Sequence, residues 1–534
     1  MTTTNRILAG AALVAVVATV FLAGANLYLG DLNQDEGWYL YAARLVAEGQ
    51  RPYADFAFTQ GPVLPLVYAW FEPIIRSYGL AGGRLMTALI ALAGAALAAL
   101  LAARLAPPQL RAGAALATFI LIGVNVYQSY FCTVVKTYAL TSLLLMSGFL
   151  ALAEGWTRRR TGLIILAGAF IVLAAGTRTS AGIVLPIVFL YLLMARRNAP
   201  PLAWLNFALG TALMAGLVFL PFLVMAPESF LYCVMKYHTL RHSGGGLMTL
   251  AFKVGFLSRL LQAYFVAFGL GIAVVFAKWA LARSPAATAA PTATAAPAAT
   301  AAPALMRILW LSVGAITLIH FLAPFPYDDY QVFVFPMLAL AIAGAAVRLV
   351  GQRGVLWLTL GMLVVSLGAA CSSPLNQDWF IQGRDRIWWL IKDRSPLQKL
   401  RDTAAQIRRV TRPGDLLLTQ DPYLAVETNL KLPPGLEMGQ FSYFPGLSDS
   451  QAAALHVFNR AGFERLLRTT EAPVAALSGY ALAIQSPDVT PLPTAEQEAF
   501  TKIVAERYAP MTNVPCFGQA GTTLKIYLRK DRGP

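Results

Sequence analysis

Charge is scarce in this 534-residue chain. Charged residues make up 13% of it and apolar residues 57%, against roughly a quarter charged in soluble domains. That balance excludes an ordinary soluble protein and marks an integral membrane protein. Acids are scarcer still, 26 against 42 Lys and Arg, for a net charge of +16. Much of the basic excess lies in short intervals between apolar runs. This is the topology signal of membrane proteins rather than a nucleic-acid footprint, and nucleic-acid binding is excluded on that ground. Cysteine is sparse: Cys132, Cys233, Cys371 and Cys516 are scattered without any C-x-x-C spacing, so metal-thiolate and redox roles lack support. A Cys371–Cys516 bridge outside the membrane has no support in the sequence either. Of the four histidines, His238 and His242 would share a helix face. They lack the adjacent glutamate of an H-E-x-x-H zinc site, and no metal site is assigned.

Long apolar runs are abundant. The first, Ile7–Leu29, is long enough to span a bilayer and too long for a signal-peptide core, despite the small residues Ala23-Gly24-Ala25 near its end. Ten more fall near 80–104, 112–129, 134–153, 161–176, 180–195, 203–226, 257–281, 307–324, 331–348 and 354–372. About eleven transmembrane helices are therefore expected. Alternate loops carry Arg104/Arg111, Arg158-Arg159-Arg160, Arg196-Arg197, Arg283/Arg307 and Arg348/Arg353. All five fall on one side, which the positive-inside rule makes cytoplasmic together with the N-terminus. An odd number of spans then places the C-terminal segment outside.

Two domains are expected. Residues 1–372 form the membrane module, with a first outer loop at 30–79 and a low-complexity cytoplasmic linker at 284–304, rich in Ala, Pro and Thr. Residues 373–534 change in composition. Charges interleave with apolar residues at helical spacing over Arg384–Arg409, and Asp415–Thr419 reads as a buried strand after a Pro-Gly turn. Ala495–Arg507 reads as a helix and Thr522–Leu528 alternates like a terminal strand. The fold class is thus a polytopic α-helical membrane protein with a small extracytoplasmic α/β domain.

The first outer loop is where chemistry is sought. It holds the adjacent acids Asp35 and Glu36, then WYLYAARLVAEG, a helical pattern with aromatics on one side. Two neighbouring carboxylates at a membrane face are costly unless cations, water or a metal neutralise them. The plain alternative is that they cap an interfacial helix and complement its dipole. Arg44 and Arg51 follow, and Arg178 interrupts two spans at an expected outer turn. Guanidinium groups suit phosphate oxygens, although Arg178 placed there also has the option of snorkelling. A second polar turn, Phe325-Pro-Tyr-Asp-Asp-Tyr330, follows His320; Asp328 and Asp329 would orient sugar hydroxyls or form a solvated turn.

These residues carry a resemblance. The run DEGWYLYAARLVAEGQRPYADFAFTQGPVLP resembles the first outer loop of the glycosyltransferase C (GT-C) superfamily, in the branch of protein O-mannosyltransferases and lipid A aminoarabinose transferases. Its marks are Asp35-Glu36, Gly49-Gln-Arg-Pro-Tyr53-Ala-Asp55 and Gly61-Pro62. Ala175-Gly-Thr-Arg178 through Pro186 resembles that branch's T-K-x-x-G-x-x-x-x-P pattern, with Arg178 in place of lysine. Residues Phe325–Pro336 resemble its late loop, and the likeness covers about 1–372.

The resemblance implies a GT-C fold and transfer of a sugar from a polyprenyl-phosphate donor to a protein, lipid or glycan acceptor at the outer face of a bacterial inner membrane. It places a first-loop acid at the reaction centre: Asp35 as base, with Glu36 in support. Arg44, Arg51 and Arg178 would meet the donor phosphate, and Tyr53, Asp55, Asp328 and Asp329 the substrates. Some relatives use a divalent cation, on which this sequence is silent. The rival class is a transporter or flippase of lipid-linked or anionic substrates. Such a protein more often carries ionisable residues mid-span and a pseudo-repeat; here the acids cluster in loops and no clear repeat is evident.

Overall fold

A computed structural model of the chain describes residues 3–196, 198–240, 245–283, 297–371, 394–479, 482, 484–485, 490–519 and 521–532. His242, most of the linker and Arg384–Asp393 lie outside the described residues. The eleven apolar runs all fall on helices. Among the described residues seven helices, Leu80–Leu105, Thr137–Arg158 and Ala203–Met225 among them, are long and apolar enough to cross a membrane. Shorter apolar helical stretches cover 108–123, 161–177 and 179–194. The 37-residue helix Phe335–Cys371 serves two runs because it bends at Gly351, where φ is 64°, a backbone state only glycine adopts cheaply.

The structure shortens two expected spans. The run at 112–129 stops at Gly123, and Asn125 starts a separate short helix, Val126–Phe131, by accepting the Gln128 N–H at 2.8 Å. The run at 257–281 is divided at Tyr264 into Gly246–Ala263 and Phe265–Ala282. The described part of the linker also differs from expectation: a helix begins at Pro297 and continues through Pro303 to Leu322. Pro297 takes the first helical position, where proline is tolerated; interior Pro303 forgoes one backbone hydrogen bond, and the alanines on either side of it are the strongest helix formers.

Three of the five arginine loops meet at one end of the bundle. Arg104 and Arg158 both pair with Glu154, at 3.0 and 2.7 Å, and Arg348 donates to the Leu105 carbonyl at 2.6 Å. The polar loops that hold the acids gather at the other end.

There the C-terminal residues form a small α/β unit. Its strands are β1 (Leu417–Thr419), β2 (Val474–Leu477), β3 (Ile484–Gln485), β4 (Thr490–Pro491), β5 (Tyr508–Phe517) and β6 (Thr522–Arg529). The main sheet runs β1-β2-β6-β5, parallel only between β1 and β2. β3 and β4 form a separate ribbon. The helices Pro396–Arg409 and Thr494–Arg507 match the two expected from the sequence.

This unit is docked by helix-end chemistry on the first outer loop, whose long helix is Gln34–Ala47. Buried Arg44 donates to the carbonyls of Ala425, Val426 and Leu430 at 3.1–3.2 Å, satisfying the C-terminal end of the helix Pro422–Thr428. Glu427 of that helix accepts the Leu80 N–H at 2.9 Å, at the start of a membrane helix. Tyr41 accepts the Leu432 N–H at 2.8 Å. At Gly37 a Cβ would come within 2.2 Å of the Tyr423 backbone nitrogen, so only glycine permits the approach.

Candidate functional site

The helix Gln34–Ala47 begins with a capping box. Asn33 accepts the Asp35 N–H at 3.1 Å, and Glu36 accepts the Asn33 N–H at 3.0 Å. Adjacent residues on a helix point about 100° apart, and the two acids go separate ways. Glu36 turns inward to Arg84 in a bidentate pair, 2.6 and 2.7 Å, both side chains fully buried. Arg84 spends its remaining donors on the carbonyls of Asn26, Leu27, Gly30 and Asp31, and Glu36 also accepts the Val135 N–H at 3.2 Å. Every strong group is satisfied, as a buried ion pair requires. The pair ties the end of the first membrane helix to the second.

Asp35 turns outward into an open cavity of about 510 Å³. Its carboxylate accepts from the Trp38 indole at 3.3 Å and lies 3.4 Å from Lys136 Nζ. Lys136 in turn contacts Asp329 at 2.7 Å, and Asp329 accepts from the Tyr138 hydroxyl at 2.8 Å. One ammonium thus joins two carboxylates from loops nearly 300 residues apart. Asp328 is held by the Arg259 guanidinium at 2.6 Å and the Tyr127 hydroxyl at 2.5 Å.

Arg178 closes the polar ring. Its guanidinium lies 4.3 Å from the Tyr330 ring centre and 5.0 Å from that of Tyr138, and it donates to Thr137 Oγ1 at 3.3 Å. Its Nε is buried and has no hydrogen-bond partner among the described residues. Such a group is unstable without a ligand or water to accept from it. Tyr39 faces the same space, its hydroxyl pushed well above its usual range by burial and by the Asp35 carboxylate. It therefore stays a neutral donor.

Two glycines of the sequence motifs explain the ring's closure. A Cβ at Gly61 would sit 2.1 Å from the Gly176 carbonyl oxygen. The first loop and the turn carrying Arg178 cross backbone to backbone there. His320, on the far side of Arg178, is fixed as a tautomer by its neighbours. Gln331 accepts from Thr317 at 3.0 Å and so donates its amide N–H to His320 Nδ1 at 2.9 Å. His320 Nε2 then carries the proton and donates it to Ser180 at 2.9 Å.

Of the residues singled out from the sequence, Asp35, Arg178, Asp328 and Asp329 line this cavity. Glu36 is sealed beneath it, and Arg44 is committed to the docked domain and to Glu72 at 3.5 Å. Arg51 pairs with Asp55 at 3.1 Å on the exposed side of the loop. Tyr53 is buried among Phe58, Phe222 and Phe230, with its hydroxyl on the Gln60 carbonyl. Among the described residues no group of three or more His, Cys, Asp or Glu comes together as a metal would need. Sequence reasoning missed Lys136, Arg259 and Arg84. Their one available signal was a lone cation inside or beside an apolar run, where an unpaired charge is expensive.

No protein-family model matches the sequence, and no curated protein matches it significantly. Solved structures resemble it. ArnT from Cupriavidus metallidurans bound to undecaprenyl phosphate matches over 100% of both chains, with a TM-score of 0.57 and 16% identity. The same protein in the apo state matches over 97% of this chain and 98% of its own, with a TM-score of 0.55 and 16% identity. The Archaeoglobus fulgidus oligosaccharyltransferase in complex with Zn and sulfate matches over 95% of this chain and 72% of its own, at 0.52 and 12%. At such identities the likeness is one of fold. The chain is an integral membrane protein with the GT-C fold, carrying a small α/β unit near its C-terminus.

Proposed function

We propose that the protein transfers a sugar from a polyprenyl-phosphate donor to a hydroxyl-bearing acceptor. One observation carries the reading: Asp35 shares a single cavity with Lys136 and a half-satisfied Arg178. The fold adds support, since the similar ArnT structure holds undecaprenyl phosphate.

In this reading Asp35 accepts the proton of the acceptor hydroxyl, for which a carboxylate within hydrogen-bond reach is required. The acceptor oxygen bonds to the anomeric carbon while the anomeric carbon–oxygen bond to phosphate breaks. Polyprenyl phosphate leaves with the electron pair. Charge grows on the phosphate as it departs, and Lys136 and Arg178 are the cations placed to stabilise it. Asp329 and Tyr138 hold Lys136 in position. We assign the cavity end of the bundle to the outer face of a bacterial inner membrane. The N-terminus and the arginine loops are then cytoplasmic, and 373–534 form an extracytoplasmic domain.

The charged groups of the cavity come from helix ends and loops: Asp35 and Lys136 just before or within a first turn, Arg178 just after a last one, Asp328 and Asp329 between helices. A transporter would more often carry them mid-span in broken helices, so transfer is preferred over transport. The test uses protein in lipid with labelled polyprenyl-phosphate sugars and a membrane acceptor fraction. Transfer by wild type, lost in Asp35→Asn with lipid binding retained, is expected. Movement of labelled lipid between leaflets without donor consumption would replace this reading with transport.

A further inference from the structure

The cavity is larger than a phosphate needs, and part of its wall is uncharged. Gln34, Gln60 and Gln519 line it, each half-buried, together with the aromatic side chains of Trp38 and Phe441. Gln34 immediately precedes Asp35. Its Oε1 accepts from Gln440 at 2.5 Å, and its backbone N–H donates to Gln519 Oε1 at 3.1 Å. The Gln34 side-chain NH2 has no partner among the described residues, nor has the Gln60 side-chain amide. The Gln60 backbone is nonetheless fixed: Tyr53 donates to its carbonyl at 2.5 Å, and Gly61 next to it is pressed on Gly176.

The cations of the cavity are differently disposed. Arg259 is held by Asp328, and Lys136 is shared by Asp35 and Asp329. A phosphate belongs with Arg178 and Lys136. The Gln34 NH2 and the Gln60 amide offer neutral donors and an acceptor beside aromatic faces, with Gln519 holding the Gln34 backbone, and these match the vicinal hydroxyls and the carbon–hydrogen faces of a sugar ring.

We infer that Gln34, Gln60 and Gln519 form a subsite for the hydroxyl groups of a neutral sugar, set beside Asp35 and completed by the C-terminal unit. This rests on the reading of the cavity as a site of sugar transfer. The sugar is either the donor's own or the terminal ring of a glycan acceptor.

The test uses the full chain in lipid nanodiscs, as wild type, Gln34→Leu and Gln519→Leu. Binding of neutral methyl hexosides is followed by saturation-transfer NMR, and binding of bare undecaprenyl phosphate in parallel. The expected result is a hexoside affinity about five- to tenfold weaker in each variant, the factor for one lost hydrogen bond, with undecaprenyl phosphate bound as in wild type. No hexoside signal in wild type, or equal signals in all three proteins, overturns the subsite. Parallel loss of hexoside and lipid phosphate also overturns it, because the glutamines would then act only on the fold. In the transfer assay, a raised KM for donor assigns the subsite to the donor sugar, and a raised KM for a glycan acceptor assigns it to the acceptor. If wild type transfers nothing while the hexoside pattern holds, the proposed reaction falls and the subsite stands.

Discussion

Asp35 and Glu36 are neighbours in the chain and opposites in the structure. Glu36 is sealed with Arg84, and every charge there has a fixed partner. Asp35 is a quarter exposed, shares one ammonium with Asp329, and faces open space. The first arrangement is what a fold needs of a buried charge: complete satisfaction, and nothing left for a ligand. The second is left incomplete, and an incomplete polar site is what a substrate completes. The same pair of letters in the sequence thus serves one structural and one proposed chemical end. Only the direction of each side chain separates them.

Breaking the two sides of this contrast should give different failures. The largest effect is expected at Asp35→Asn: sugar transfer falls by about 10²–10⁴-fold, the usual worth of a general base, while the melting temperature of the lipid-embedded protein stays within a few degrees. A comparable loss of melting temperature and of transfer would place Asp35 on the structural side. Arg84→Met should do the reverse. It leaves Glu36 buried without its partner, which costs about 3–5 kcal/mol, and thermal unfolding of purified protein should show a large drop or failure to accumulate.

A third expectation concerns the C-terminal unit, whose buried acids are less well satisfied than Glu36. Burial pushes the Glu437 carboxyl from 4.5 up to about 7, against the pull of the Gly435 N–H. Burial likewise raises Asp421 from 3.8 to about 6. An acid whose folded pKa lies above its unfolded one costs the fold once it ionises. The contribution of Glu437 to the stability of this unit should therefore be greatest below pH 4.5 and decline as pH rises to about 7, by about 3 kcal/mol. Hydrogen exchange of β2 and β6 across that range would show it, and Glu437→Gln should flatten the profile. The smallest effect is expected at Arg51→Ala. Its pair with Asp55 is exposed, such pairs contribute little, and neither melting temperature nor lipid-phosphate binding should change measurably. A clear loss of lipid binding would return Arg51 to the phosphate site.

Much of the fold was legible because apolar runs of bilayer length have few alternatives; the runs at 80–104 and 203–226 became helices almost residue for residue. Two boundaries failed where a single residue decided them: Asn125 capping a new helix, and Tyr264 ending another. The site was legible only in part. Asp35, Arg178, Asp328 and Asp329 stood out as polar interruptions. Lys136 did not, because its meaning lies in two carboxylates 101 residues before and 193 residues after it. Arg44 had the right chemistry for phosphate, but a guanidinium serves equally well to end a helix, and the carbonyls of Ala425 and Val426 are invisible from Arg44's neighbourhood in sequence.

The contact of Gly37 with Tyr423 also has a meaning in time. A growing chain emerges from its N-terminus, and the first-loop helix is made long before residue 423 exists. Until then the helix that carries Asp35 lacks the surface it rests on, and the cavity lacks Phe441 and Gln519 from its wall. The acid of the first loop therefore waits for the last quarter of the chain. Synthesis, insertion and docking have to finish before the cavity is whole, so an unfinished copy in the membrane holds Asp35 without the walls that Phe441 and Gln519 supply.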